Sequence, residues 1–139
     1  MTTTLLAFDF GTRKIGVACG QTISMSASPL PPLPVKNQQI DWQAIERLIG
    51  EWRPDLLLVG LPLNMDGSES AMSERCRRFA RQLEGRFALP AQLIDERLSS
   101  RAARERLGRP ALTGRDPRVD SVAAVIMMET WFNEQGQPG

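Results

Sequence analysis

Leu5-Leu6-Ala7-Phe8-Asp9-Phe10-Gly11-Thr12-Arg13-Lys14-Ile15-Gly16-Val17-Ala18-Cys19-Gly20 reads as two apolar strands joined by a tight polar turn. The run Leu5–Phe10 has the length of a buried strand, and Gly11 to Lys14 has the composition that ends one. Gly11 is expected to give the turn a positive φ, and Gly16 to permit close packing. The anomaly is Asp9, an acid inside the apolar run. A carboxylate taken out of water without a partner is strongly disfavoured, so a cation or hydrogen-bond donors should face it.

Downstream, Ser24–Leu30 is expected to form a third strand, with the proline run Pro29–Pro34 as an edge or a connection, because proline cannot donate to a ladder. Asp41 is a good N-cap for a helix carrying Ile45, Leu48, Ile49 and Trp52, which Pro54 stops. Asp55–Gly60 is a continuous apolar run of the kind found in parallel strands covered on both faces. A turn-rich loop, Leu61–Gly67, leads to a helix with Met72, Cys76, Phe79, Ala80 and Leu83 on one side and Glu74, Arg75, Arg78 and Arg81 towards water, ending at Gly85. Gln92–Glu96 is the next strand and also runs into an acid. Ser99 or Ser100 can cap a short Arg-rich helix reaching Leu107, a Gly- and Pro-containing loop follows to Pro117, and a last helix spans about Val119 to Phe132. Residues 135–139 are expected to be a frayed tail.

This order predicts an α/β fold built on a mixed five-stranded sheet. An antiparallel three-strand meander is followed by two parallel strands, with helices on both faces. The 139 residues are expected to form a single domain. Binding sites in such sheets lie outside the carboxyl ends of the parallel strands. Asp9 ends the first strand, Glu96 ends the last, and Asp120 begins the final helix. Taken singly, an acid at a strand end is more often a solvated cap or a salt-bridge partner than a metal ligand. Taken together they make a candidate site for Mg2+ or Mn2+, which prefer hard oxygen ligands and relieve repulsion among carboxylates. The positions one turn beyond Asp120 are Ala123 and Ala124, so three carboxylates are available.

Composition narrows the chemistry. Apolar residues make up 42% and charged residues 24%, with a net charge of +1, as in ordinary globular proteins. The chain has no histidine and no tyrosine, which excludes Ser–His–Asp and Cys–His catalysis within one chain and leaves carboxylates as candidate catalytic groups. Cys19 and Cys76 lack metal-type spacing and are read as free core thiols of a reducing compartment. No secretory leader or membrane-spanning run stands out, so a cytoplasmic location is expected.

Lys14 and Lys36 are the only lysines, so arginine carries most of the positive charge. The segment from Arg97 to Arg118 is rich in it, and such local charge suits phosphate binding as well as a solvated helix face. Arg97, adjoining Glu96, is expected to form a structural salt bridge. Trp42, Trp52 and Trp131 are expected in the core or at an interface.

Four stretches resemble the YqgF (RuvX) family in the correct order. They are Ala7–Thr12 with Ile15–Ala18, Val59–Gly67, Asp95–Ser99 and Asp120–Ala124. The resemblance spans nearly the whole chain and implies an RNase H-like fold. It also implies a metal-dependent nuclease with Asp9, Glu96 and Asp120 as catalytic metal ligands for Mg2+ or Mn2+. The substrate implied is the 5′ end of pre-16S rRNA, with a Holliday junction of branched DNA as the alternative. Expected substrate contacts are Gly11, Thr12, Arg13, Lys14, Asn64, Arg101, Arg115 and Arg118. Monomer and homodimer both remain open, and cutting two strands symmetrically would require the dimer. Two further readings compete: a non-catalytic ribosome-assembly factor, and a lobe like the phosphate-binding half of actin-like ATPases, whose first motif Asp9–Thr12 resembles.

Overall fold

A computed structural model describes residues 3–96 and 121–136. Strands β1 (Thr4–Phe10) and β2 (Lys14–Gln21) form the expected hairpin, in register from Thr4 opposite Gln21 to Phe10 opposite Ile15. At its tip Gly11 is required by space and not by a positive φ: a Cβ there would lie 2.6 Å from the Lys14 carbonyl oxygen.

Strand β3 (Ser26–Lys36) continues straight through the prolines, beyond the predicted end at Leu30. A register shift explains how. Ile15 faces Leu33 but Val17 faces Leu30, so Pro31 and Pro32 together oppose Gly16 in a bulge. Before the bulge, Pro29 and Pro31 turn their nitrogens to the outer edge; after it, Pro32 and Pro34 do. No inward ladder donor is lost, and Val35, whose N–H points inward, donates to the Arg13 carbonyl at 2.8 Å. A short sixth strand, β4 (Gln39–Ile40), pairs only with Val35 and Lys36, which corrects the expected count of five. The two-residue turn between β3 and β4 holds Asn37 and Gln38 at φ of 52° and 61°.

Helix α1 (Trp42–Trp52) begins where Asp41 accepts the Ala44 N–H at 3.1 Å and ends at Arg53, before Pro54. Strand β5 (Leu56–Leu61) lies parallel to β1, and β6 (Ala91–Asp95) parallel to β5. The crossover between them is α2 (Ala71–Phe87), opened by a capping box between Ser70 and Ser73. The buried Ser73 hydroxyl also donates to the Pro62 carbonyl, tying the helix start to the preceding loop. Gly85 does not end α2. The helix runs two residues further, bringing Phe87 against Trp42, and closes at Ala88 in the left-handed region.

The last helix, α3, runs from Val122 to Gly136. Strand order is β4-β3-β2-β1-β5-β6, a mixed sheet with helices on both faces. One core lies between the sheet and α1 and α2, built from Leu6, Phe8, Val17, Leu57, Val59, Cys76, Phe79 and Leu83. The other lies under α3, built from Leu5, Ala7, Leu58, Ile94, Val125, Met128 and Phe132. Cys19 and Cys76 are buried free thiols, as expected. No helix among the described residues is long and apolar enough to cross a membrane. The predicted Ser99–Leu107 helix, the loop to Pro117, the residues Val119 and Asp120, and positions 137–139 lie outside the described residues.

Candidate functional site

Alternation along the strands decides which face each acid occupies. Leu5 and Ala7 belong to the α3-side core, so Asp9 points to that face as well. By the same parity Gly60 follows Leu58, and Glu96 follows Ile94. Glu96 stands one residue past β6, and its N–H still donates to the Leu61 carbonyl at 3.0 Å, so the ladder holds it in line. Asp9, Gly60 and Glu96 therefore end β1, β5 and β6 on one face.

The acids stand on strands separated by β5, and they meet because the residue between them is glycine. A Cβ on Gly60 would run into the Glu96 carboxylate oxygen, and would lie 2.9 Å from Glu96 Cγ and 2.6 Å from Met127 Sδ on α3. The Glu96 side chain thus lies across the Gly60 backbone, roofed by Met127, and reaches Asp9, with which it shares a hydrogen bond. Burial raises both carboxyls. That of Glu96 is pushed up to about 8, by burial first, then by the hydrogen bond to Asp9 and the negative charges of Asp9 and Asp95. Asp9 is also raised by burial, while the hydrogen bond from Glu96 favours its ionised form. Both shifts favour a pair joined by a hydrogen bond over two separate carboxylates.

The same two charges reach across the sheet end to Cys76 on α2. Burial first, then Glu96 and Asp9, push its thiol up to about 12. It is a neutral core group and not a nucleophile.

A second device fixes the start of α3. Ser121, fully buried, accepts the Val17 N–H at 2.9 Å and donates to the Leu30 carbonyl at 2.6 Å. Val17 and Leu30 are the pair beside the β2–β3 bulge, where the ladder has opened. The hydroxyl fills the gap between one strand's donor and the other's acceptor, so the chain entering α3 is stitched to the sheet. Asp120, the residue before Ser121 in the chain, lies outside the described residues, as do Arg97, Arg101, Arg115 and Arg118. Among the described residues no group of three potential metal ligands occurs.

The remaining expected contacts divide. Gly11, Thr12, Arg13 and Lys14 occupy the hairpin tip directly beyond Asp9–Phe10, with Thr12, Arg13 and Lys14 exposed. Asn64 is engaged in its own loop: its side-chain amide donates to Ser68 Oγ at 3.0 Å, and its backbone N–H to the Ser68 carbonyl at 2.9 Å. Asp66 accepts the Ser68 N–H at 2.9 Å, completing a turn that passes through Gly67 at φ 87°. Sequence reasoning did not single out Gly60 or Ser121. Gly60 had one signal, a glycine at the end of the apolar run Asp55–Gly60; Ser121 had none beyond its place beside Asp120.

The RuvX family profile, described as Holliday junction resolvase, matches residues 3–134. The chain belongs to the RuvX family. A relative from Alcanivorax borkumensis is 55% identical over 128 residues, covering 92% of this chain and 94% of its own. One from Salmonella enteritidis PT4 is 51% identical over 140 residues, covering 98% and 99%. Both carry a provisional name, pre-16S rRNA nuclease. Among solved structures, Thermus thermophilus RuvC in complex with a Holliday junction substrate superposes with a TM-score of 0.58 at 12% identity over 97% of each chain. Fowlpox virus resolvase with Holliday junction DNA gives 0.60 at 9% identity, covering 96% of this chain and 99% of that one. The RuvX chain thus has the RNase H-like fold of the RuvC-type resolvases.

Proposed function

We propose that this RuvX-family chain is a metal-dependent nuclease that hydrolyses phosphodiester bonds at the 5′ end of precursor 16S ribosomal RNA. The single observation that carries the reading is the Asp9–Glu96 pair, two half-buried carboxyls drawn together across Gly60 at the ends of β1 and β6. Family membership and the names of relatives at 51% and 55% identity support the substrate.

The donor set fits a hard divalent cation. Two carboxyls joined across Gly60 repel each other when both are ionised, and a shared proton or a cation relieves that repulsion. Asp9 and Glu96 would hold Mg2+ or Mn2+, with Asp120 as the third carboxylate. When bound, the cation supplies a Lewis acid that neutralises the phosphodiester and makes water nucleophilic at neutral pH.

The chain's own residues do the rest. To hold the cation Glu96 would be ionised, so its raised value would make metal binding stronger as pH rises. Met127 and α3 keep bulk water from one side of the pair. The backbone at Gly11 and the side chains of Thr12, Arg13 and Lys14 meet phosphates beside the scissile bond, positioning the strand without reading its sequence. Asn64 presents its loop at the end of the neighbouring strand β5. Arg101, Arg115 and Arg118 contribute phosphate contacts through charge. The reaction belongs in the cytoplasm, where buried reduced thiols such as Cys19 and Cys76 persist.

A second reading, resolution of branched DNA by a homodimer, is favoured by the family's description and by two fold neighbours in complex with Holliday junctions. The deciding experiment offers a precursor 16S rRNA fragment and a four-way DNA junction side by side, with Mg2+ or Mn2+ and an Asp9→Asn control. Metal-dependent cutting of the RNA, absent in the variant, supports the proposal. Paired cuts in the junction alone would replace it with the second reading, and binding without any cutting would leave an assembly factor.

A further inference from the structure

On the opposite face of the sheet from the carboxylate pair lies a groove of about 420 Å³, within the size range of sites that enclose small organic groups. It begins at Phe10, the residue after Asp9, whose ring packs on the α1/α2 side. Its aromatic lining is Phe10, Trp42 and Phe79, with ring centroids 5.1 Å apart for Phe10–Phe79 and 5.8 Å for Trp42–Phe79. From α2 it receives Arg75 and Arg78, on one helix face by their spacing. No carboxylate lines it among the described residues.

Charge along α2 points the same way. The helix carries Arg75, Arg77, Arg78, Arg81 and Arg86 against Glu74 and Glu84. Arg77 is spent on Glu69 at 2.5 Å, whereas Arg75, Arg78 and Arg81 have no carboxylate partner among the described residues. Arg86 lies 4.2 Å over the Trp42 ring, so an aromatic wall and a cationic ridge meet at the groove. Amide groups complete it. Gln82 comes from α2, and Gln38 from the β3–β4 turn, where it holds a left-handed φ of 61° that a glycine would adopt without strain. Guanidinium groups for phosphates, amides for base edges and aromatic surface are the three components of a site for unpaired nucleic acid.

We infer that this groove is a second nucleic-acid site, one that takes a single-stranded segment flanking the cleavage point. Arg75 and Arg78 receive phosphates and an unpaired base enters among Phe10, Trp42 and Gln82. Asp9 and Phe10 are consecutive but face opposite sides of β1, so a strand leaving the carboxylates passes the hairpin tip at Arg13 and Lys14 and arrives at the groove. The inference rests on the nuclease reading for its substrate but not for its test, which needs no cleavage.

The test is fluorescence anisotropy of a short, unstructured single-stranded RNA with the full chain in EDTA, across a salt series. Arg75→Ala/Arg78→Ala should weaken binding at least about tenfold and flatten the log–log salt slope by about 1.4, two phosphates at about 0.7 each. A charge-matched control, Arg47→Ala/Arg53→Ala on exposed positions of α1 and its cap, should retain the wild-type slope and affinity. Wild-type affinity in the Arg75/Arg78 variant, or equal loss in the control, would overturn the inference. No binding of the single strand by wild-type protein would overturn it too and leave the groove as a protein-docking surface. In that case, RNA cleavage that depends on Asp9 would leave the proposed function standing.

Discussion

Glu96 reaches Asp9 by lying across Gly60: a Cβ at that glycine would sit 2.9 Å from Glu96 Cγ and closer still to its carboxylate. The two acids belong to β6 and β1, with β5 between them, so without this saddle they would end on separate strands as unrelated carboxyls. One missing methyl group converts two strand ends into one site.

Gly60→Ala tests that dependence. The added carbon meets Glu96 and the flexible thioether of Met127, both able to shift, so the fold should survive at a cost of about 1–3 kcal/mol. Displacing Glu96 should lower cleavage by about 100-fold, the effect of a misplacement near 1 Å. Urea denaturation and single-turnover cleavage measure the two effects separately. Unchanged cleavage would mean that Glu96 acts from elsewhere.

Asp9→Asn removes one ionisable group from a pair joined by a hydrogen bond. Cleavage should fall to background, while the EDTA-treated variant should unfold at or above the wild-type temperature near neutral pH, because burial disfavours the Asp9 charge and the amide oxygen can still accept from Glu96. Retained cleavage would remove the catalytic assignment.

The pair also makes stability depend on pH. The Glu96 carboxyl sits near 8 in the fold against an ordinary value of 4.5, and Asp9 is raised in the same direction. A carboxyl that the fold keeps protonated contributes stability fully present below its unfolded value and lost as pH rises through its folded value. The melting temperature of the EDTA-treated protein should therefore decline from about pH 5 to about pH 9. Glu96→Gln should flatten the decline, and Mg2+ should restore stability at the alkaline end. An unchanged slope in Glu96→Gln would assign the decline to other groups.

Ser121→Ala removes a hydroxyl that serves one donor and one acceptor at once. Leaving Val17 N–H and Leu30 C=O buried without it should cost about 1–3 kcal/mol. The opening should be local, visible as faster hydrogen exchange at Val17, with cleavage falling because α3 is no longer stitched to the sheet. Wild-type exchange at Val17 would show that the strands reclose without the hydroxyl.

Much of the fold was legible in the chain. The β1–β2 hairpin, the Asp41 cap of α1, the parallel run of β5 and the apolar face of α2 are written in spacings of two to four residues, and local physics honours them. Misreadings came where a local signal met a tertiary one. Gly85 suggests a helix end, yet Phe87 is drawn on to pack against Trp42. The prolines of β3 suggest a broken strand, yet the bulge at Pro31–Pro32 turns each of their nitrogens to an open edge.

By itself, the sequence determined an α/β order of elements, acids at the ends of two strands, chemistry without histidine and membership of the RuvX family. Only the tertiary structure decided that Asp9 and Glu96 meet in a hydrogen bond over Gly60 and that Ser121 closes a gap 104 residues back at Val17. It also decided that the arginines of α2 stand beside an aromatic groove. The reason is distance along the chain. Periodicity and caps act over a few residues, whereas these contacts exist only once the sheet has set its strand order and brought remote backbone within hydrogen-bonding reach.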